Sequence, residues 1–276
     1  MKISTKSLRL VFMFVALMAM QTLVSSCGNS SKKQNLQQVR EAVAAVKTQC
    51  PIDMGIAGTV TDADVDETSG TVRYTLQPNE LFLNENVFID HKDLLRKSLL
   101  LNISPLESEK SGLTPLAEAG LNVAYVYSFP SGKQHTLLLT PDDILNGSVE
   151  KLSPVERANA VLETRCEISK LIFPTQIDDY TTQIGVELKP DNMIHQFSID
   201  EKGLGLPIND PAVSKEALYN SLVEGLRQSA NDPTMKTEME AVIATGRGLV
   251  YHYTGVPSGS TIEVPITIET LRTIFK

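Results

Sequence analysis

The chain has 276 residues, with 25 basic and 33 acidic side chains, no tryptophan and aromatics at only 5%. An acidic balance with no basic cluster excludes a nucleic-acid surface. The scarcity of aromatic rings argues against a platform for stacking sugars.

Residues 1–26 read as a targeting segment and stand apart from the fold. Lys2, Lys6 and Arg9 make a basic start, followed by an apolar run over 10–20 too short to span a membrane comfortably. Next comes Val24-Ser25-Ser26-Cys27, which resembles the lipobox of bacterial lipoproteins. The resemblance implies cleavage before Cys27 and lipidation of that cysteine, giving a membrane anchor with more than one acyl chain, as stable attachment requires. Gly28, where an inner-membrane signal would carry Asp, implies the outer membrane of the cell envelope. The alternative is an ordinary secretory signal with an incidental cysteine. Without the leader, 22 basic residues face 33 acidic ones, a net charge of −11. Residues 27–35 are polar and read as a flexible tether.

From there the chain reads as one pattern written twice, over 36–150 and 151–276. A helix with Leu36, Val39, Val43 and Val46 on one stripe ends at Cys50-Pro51. Its counterpart opens at Ser153-Pro154-Val155-Glu156, a capping box, and runs out at Cys166, so Cys50 and Cys166 are expected at equivalent places. A hairpin follows in each half, 56–65 with 71–76 and 171–177 with 183–188. Each closes on similar punctuation, Leu76-Gln77-Pro78 and Leu188-Lys189-Pro190. Extended pieces end at Asp90 and Asp200, and helices follow over 91–101 and 214–228. Shorter helices open at Thr114-Pro115 and Asp232-Pro233, with Gly120 and Gly246 as terminators.

The clearest repeat is the last hairpin. Residues 121–143 and 249–269 both place two tyrosines on one face of a strand, Tyr125 with Tyr127 and Tyr251 with Tyr253. Both then turn at Pro-Ser-Gly, 130–132 and 257–259. Pro265, in mid-strand, predicts an edge. The expected fold class is α+β: two tandem repeats, each a mostly antiparallel four-stranded sheet with helices packed on one face.

The order Cys50-Pro51, acidic loop, Tyr74-Thr75-Leu76, Asn122-Val123-Ala124-Tyr125-Val126-Tyr127, Gly132, Thr140-Pro141-Asp142 resembles an uncharacterised family of exported bacterial domains. In that family a Cys-Pro segment precedes a Tyr-x-Leu strand and a Val-x-Tyr-x-Tyr hairpin. The resemblance spans about 49–144 and more loosely 165–271. It implies fold and export, and no activity. The further cysteines of that pattern are missing here, so it implies no disulfide pairing.

No stretch carries a catalytic signature. Asp62, Asp64 and Asp66 alternate along a strand, but the glycine and glutamate of a calcium loop are replaced by Glu67 and Arg73. The four histidines, 91, 135, 195 and 252, form no metal spacing, and no motif asks for a cofactor. Ser131 and Ser258 read as turn formers. Tyr125, Tyr127, Tyr251 and Tyr253 either fill the core or line a ligand groove between the repeats. Cys50 and Cys166 are either two separate thiols or a cross-link, which export permits.

One segment stands out by length. A single residue separates Asp90 from Lys92, whereas fourteen separate Asp200 from Lys215. This insertion carries Leu204, Leu206, Ile208 and Val213, either as a partner site or as glue between domains. The leading function is a lipid-anchored envelope protein acting by binding or scaffolding, with an envelope protein as partner. The alternative is an envelope hydrolase using carboxylates in a groove between the repeats.

Overall fold

The computed structural model describes residues 32–54, 58–80, 83–103, 113–147 and 151–275. Cys27, the lipobox and the start of the tether lie outside them. Among the described residues no helix is long and apolar enough to cross a membrane. The chain divides into two compact units between Ser153 and Pro154.

The N-terminal unit runs α1 (Lys32–Gln49), β1 (Ile52–Asp53), β2 (Thr59–Asp66), β3 (Thr71–Gln77), α2 (Glu85–Asp90), α3 (Lys92–Ile103), α4 (Thr114–Glu118), β4 (Asn122–Ser128), β5 (Gln134–Leu139) and α5 (Pro141–Leu145). The C-terminal unit runs α6 (Pro154–Ile172), β6 (Thr175–Gln176), β7 (Thr181–Leu188), β8 (Asn192–Asp200), α7 (Glu201–Leu204), α8 (Lys215–Gln228), α9 (Pro233–Ala244), β9 (Gly248–Val256), β10 (Thr261–Ile266) and α10 (Ile268–Ile274). The ten elements come in the same order in both.

The sheets agree as well. Each has five strands in chain order, β1 to β5 and β6 to β10. Within each, only the third and fourth strands pair in parallel. These mixed five-stranded sheets correct the expected four-stranded, mostly antiparallel ones. The extra strand is the two-residue edge β1 or β6, too short to show a period. The parallel pair arises because three helices lie between its strands, long enough for a crossover, whereas a tight turn enforces antiparallel pairing.

The registers give a residue-level correspondence. Tyr74 pairs with Tyr125 and His195 with Tyr251 across the parallel seams. A bulge interrupts β2 at Val60/Asp62 and β7 at Gln183/Gly185, opposite Leu76 and Phe197. So Val60 answers to Gln183, Tyr74 to His195, and Leu76 to Phe197.

This frame corrects three expectations. First, α6 passes through Cys166 to Ile172, and Phe173-Pro174 precedes β6 as Cys50-Pro51 precedes β1. Cys50 therefore answers to Phe173, and Cys166 to the core residue Val43. Second, the hairpin of the C-terminal unit is β7–β8, and Leu188-Lys189-Pro190 belongs to its turn; residues 171–172 are still helix. Third, there is no insertion. Asp90 ends a helix while Asp200 ends a strand, so the two are not equivalent. Counted from strand end to long helix, Gln77 to Lys92 and Asp200 to Lys215, both connections hold fourteen residues. Residues 32–35, assigned to the tether, form the first turn of α1.

One face of β8 is covered along its length: Met193, His195, Phe197 and Ile199 are buried, while their alternates are half-exposed up to Ser198 and exposed at Asp200. Helices α6 and α8 contact β7 and β10, and α6 packs on α9. In the N-terminal unit, α1 contacts β2, and β4 is buried on both faces from Val123 to Tyr127. Pro265 lies on the edge strand β10, as its missing donor requires.

Candidate functional site

The feature that both units build at an exposed sheet end is a serine turn held by a glutamate. In the N-terminal unit Pro130-Ser131-Gly132 joins β4 to β5, with Gly132 in the left-handed region at φ 80° and its N–H donated to the Phe129 carbonyl at 2.9 Å. The Ser131 hydroxyl donates to Glu85 Oε2 at 2.7 Å. Glu85 is the first residue of α2, behind an Asn84 side chain that accepts from the Val87 N–H, so the cap aims the carboxylate at the turn. Lys133 Nζ and His135 Nε2 approach Glu85 Oε1 at 3.1 and 3.0 Å. Three partners on one carboxylate, the His135 contact foremost, hold it down to about 2. Beneath lies an aromatic floor: Phe88 packs against Tyr127, Phe129 and His135 at ring separations of 4.9, 5.9 and 5.5 Å.

In the C-terminal unit Glu201 opens α7 behind the Asp200 cap, as Glu85 opens α2 behind Asn84. It accepts from the Ser258 N–H and hydroxyl at 2.9 and 2.8 Å and from the Ile208 N–H at 2.8 Å. These donors, Ile208 first, lower its pKa. Gly255 makes the approach possible, since a Cβ there would stand 2.3 Å from Glu201 Oε1. The N-terminal lysine and histidine have no match; from the hairpin registers, Ile262 stands where His135 does.

The N-terminal cluster holds a serine, a histidine and a glutamate without making a nucleophile of the serine. A triad places the imidazole on the hydroxyl. Here both groups bind the carboxylate, through different oxygens, and neither activates the other.

The four tyrosines are 2–5% exposed and sit in the cores of their own sheets. Tyr125 stacks with Tyr74, and Tyr251 with His195 and Phe197. Burial raises all four hydroxyls. Such positions do not line an open groove. Cys50 is a half-buried free thiol and Cys166 a buried one. Ile208 is 3% exposed and tucks under Gly255. Leu204 and Leu206, with Val213, Ala217 and Leu218, line an apolar depression of about 150 Å³. The acidic run on β2 is met by cations, Lys47 at Asp62 and Arg73 at Asp64 and Asp66, at 3.2, 3.7 and 3.6 Å. No group of three metal-ligating side chains occurs among the described residues.

No protein-family model matches the chain, and no curated protein matches it. Among solved structures, a Pseudomonas aeruginosa protein described as secreted (PA3611) is similar at 15% identity. The match covers 42% of this chain and 93% of that one, with a TM-score of 0.30. At that score the likeness carries no argument about fold or function.

Sequence reasoning singled out the two serines as turn formers and missed both glutamates. The available signal was the shared pair Asn84-Glu85 and Asp200-Glu201, an Asx cap followed by a carboxylate. It was hidden because the two pairs lie at different distances from the preceding strand.

Proposed function

We propose that the chain is a lipid-anchored protein of the bacterial cell envelope, made of two tandem copies of one α+β domain and acting by binding or scaffolding. The lipobox at Cys27 supports the anchor, and the shared order of ten elements with matched bulges supports the duplication. The observation that carries the non-catalytic reading is the commitment of the Glu85 and Glu201 carboxylates to their turns. Glu85 and Glu201 hold three donors each and a lowered pKa, the reverse of what a general acid needs. The carboxyl whose pKa is raised, Glu238, is fully buried, where no substrate reaches it. The hydrolase alternative gains no support from either. The exposed apolar depression beside Leu204 and Leu206 suits a protein partner more than a charged one.

Purification of the intact protein from envelopes in gentle detergent tests this reading. A stoichiometric protein partner, lost when Leu206 is replaced by Asp, is the expected result. Turnover of an envelope polymer by the purified protein, abolished in E85Q or E201Q, would overturn it.

A further inference from the structure

The core of the C-terminal unit is polar where its counterpart is apolar. From the helix ends, Arg165 and Cys166 stand where the N-terminal unit has Ala42 and Val43; from the registers, Gln183 and His195 stand where it has Val60 and Tyr74. The same element order closes over Ala, Val, Val and Tyr, so folding does not call for these polar groups. On α9, Glu238 is 0% exposed and faces Arg165 of α6, Oε2 to Nε at 3.8 Å, beyond hydrogen-bond length. Neither Glu238 oxygen has a hydrogen-bond partner, and neither do Arg165 Nε and Nη2. Cys166 from α6 and Tyr251 from β9 lie within its field, with His195 of β8 stacked behind Tyr251. Asp232, ahead of α9, acts on Arg165. The other α9 charges, Lys236 and Glu240, meet each other at 3.6 Å, and α10 turns Leu271 inward with Glu269 and Arg272 outward.

We propose that Glu238 is a protonation latch for α9: while its carboxyl is neutral the helix stays docked on α6 and the sheet, and when the carboxyl ionises the helix loosens. The Arg165 guanidinium offsets only part of the desolvation of an ionised carboxylate held at full burial, because it stands beyond hydrogen-bond reach and neither oxygen accepts a hydrogen bond. Burial pushes the Glu238 carboxyl up to about 7, with Arg165 opposing. A carboxyl raised on folding contributes stability that is present below its unfolded pKa, near 4.5, and is lost as pH rises through 7. His195 works the other way, because burial lowers it to about 4. Its contribution is present above about 6.5 and fades as pH falls toward 4. The two oppose each other between about pH 4.5 and 6.5, so the melting temperature of the wild type alone hides the latch over that range.

The test is therefore a difference: E238Q against wild type in the full chain, melted from pH 5 to 8. The Tm advantage of E238Q should grow by several degrees toward pH 8, as every other titration cancels. Hydrogen exchange, corrected for its intrinsic pH dependence, should show α9 amides losing about tenfold protection across pH 7 in the wild type and not in E238Q. A Tm difference independent of pH, or a loss of protection spread evenly over the unit, would overturn the latch. Should E238Q not fold, the Glu238 side-chain carbon shift in the wild type decides: a midpoint near 7 that tracks α9 exchange supports the latch, and one below 5 sinks it.

Discussion

His195 stacks on Tyr251 at 5.4 Å and 18° in the place where the other unit stacks Tyr74 on Tyr125 at 5.8 Å and 22°. The stack is common to both units, and the imidazole is not. Its Nδ1 meets the Gln183 amide at 3.3 Å, while Val60 fills the corresponding place in the N-terminal unit. Substituting Gln183→Val and His195→Tyr together therefore imports a pair the fold already accommodates. The double variant should remove the acid-side loss of stability between pH 6.5 and 4, on the order of 3 kcal/mol at full extent. His195→Tyr alone should remove the same acid-side loss, since it removes the same titrating group, but should be less stable than the double variant at both pH values because it strands a buried Gln183 amide. Denaturant unfolding at pH 4.5 and 7 measures both. Additive single effects would show that the two side chains are not coupled.

Gly255 is a second place where one atom decides. An added Cβ would stand 2.3 Å from Glu201 Oε1 and 2.8 Å from Ile208 Cγ2. Gly255→Ala should destabilise the C-terminal unit by about 1–3 kcal/mol and weaken the Glu201–Ser258 contact. Gly70→Ala has open space but a left-handed φ of 60°, so its cost should be smaller and purely local. Chemical denaturation ranks the two.

The last hairpin, its serine turn and its tyrosines were legible because both halves of the sequence carry two tyrosines two residues apart ahead of a Pro-Ser-Gly turn, which marks a strand and its end. The middle of each unit was harder. Asn192–Asp200 is a nine-residue strand whose inward positions include His195, and a polar residue on the buried face weakens the period. That displaced the hairpin by one strand and created an insertion where the two connections have equal length. The edge strands Ile52–Asp53 and Thr175–Gln176 are too short for any pattern. Glu238 was invisible because a carboxylate on a helix reads as solvent-facing unless the packing is known.

The two cysteines should behave as separate thiols of unequal reach. Cys50 is half-buried, with its thiol donating to the Val46 carbonyl at 3.5 Å. Cys166 lies inside α6, where burial foremost pushes it up to about 12. Thiol labelling of the native protein at pH 7 should modify Cys50 well ahead of Cys166, and denaturant should equalise them. Cys166→Val, the residue of the N-terminal unit at that place, should fold with unchanged or improved stability. Non-reducing mass spectrometry that found a Cys50–Cys166 cross-link would contradict this.

Glu201 ties the connection after β8 to the turn after β9, and through it Ile208 to the core. Its pKa is lowered by the Ile208 N–H and then by the Ser258 donors, so its contribution to stability is present above about 4.5 and is lost as pH falls below that range. Glu201→Gln keeps the shape but removes the charge, and should lower Tm at pH 7 while leaving it unchanged near pH 2. Ser258→Ala removes one donor of three and should cost less than Glu201→Gln. Shortening residues 203–213 removes the buried Ile208 as well as the apolar residues beside Leu218, so stability and partner binding should fall together. Leu206→Asp separates the two roles: Leu206 is half-exposed at the depression and is absent from the Glu201 network. That variant should melt within a degree or two of wild type, as half-exposed substitutions away from buried networks do, yet lose the proposed envelope partner. If it keeps the partner at wild-type yield, the depression is not the docking face. Limited proteolysis supplies the control, since Glu201→Gln should open cleavage within 203–213 and Leu206→Asp should not.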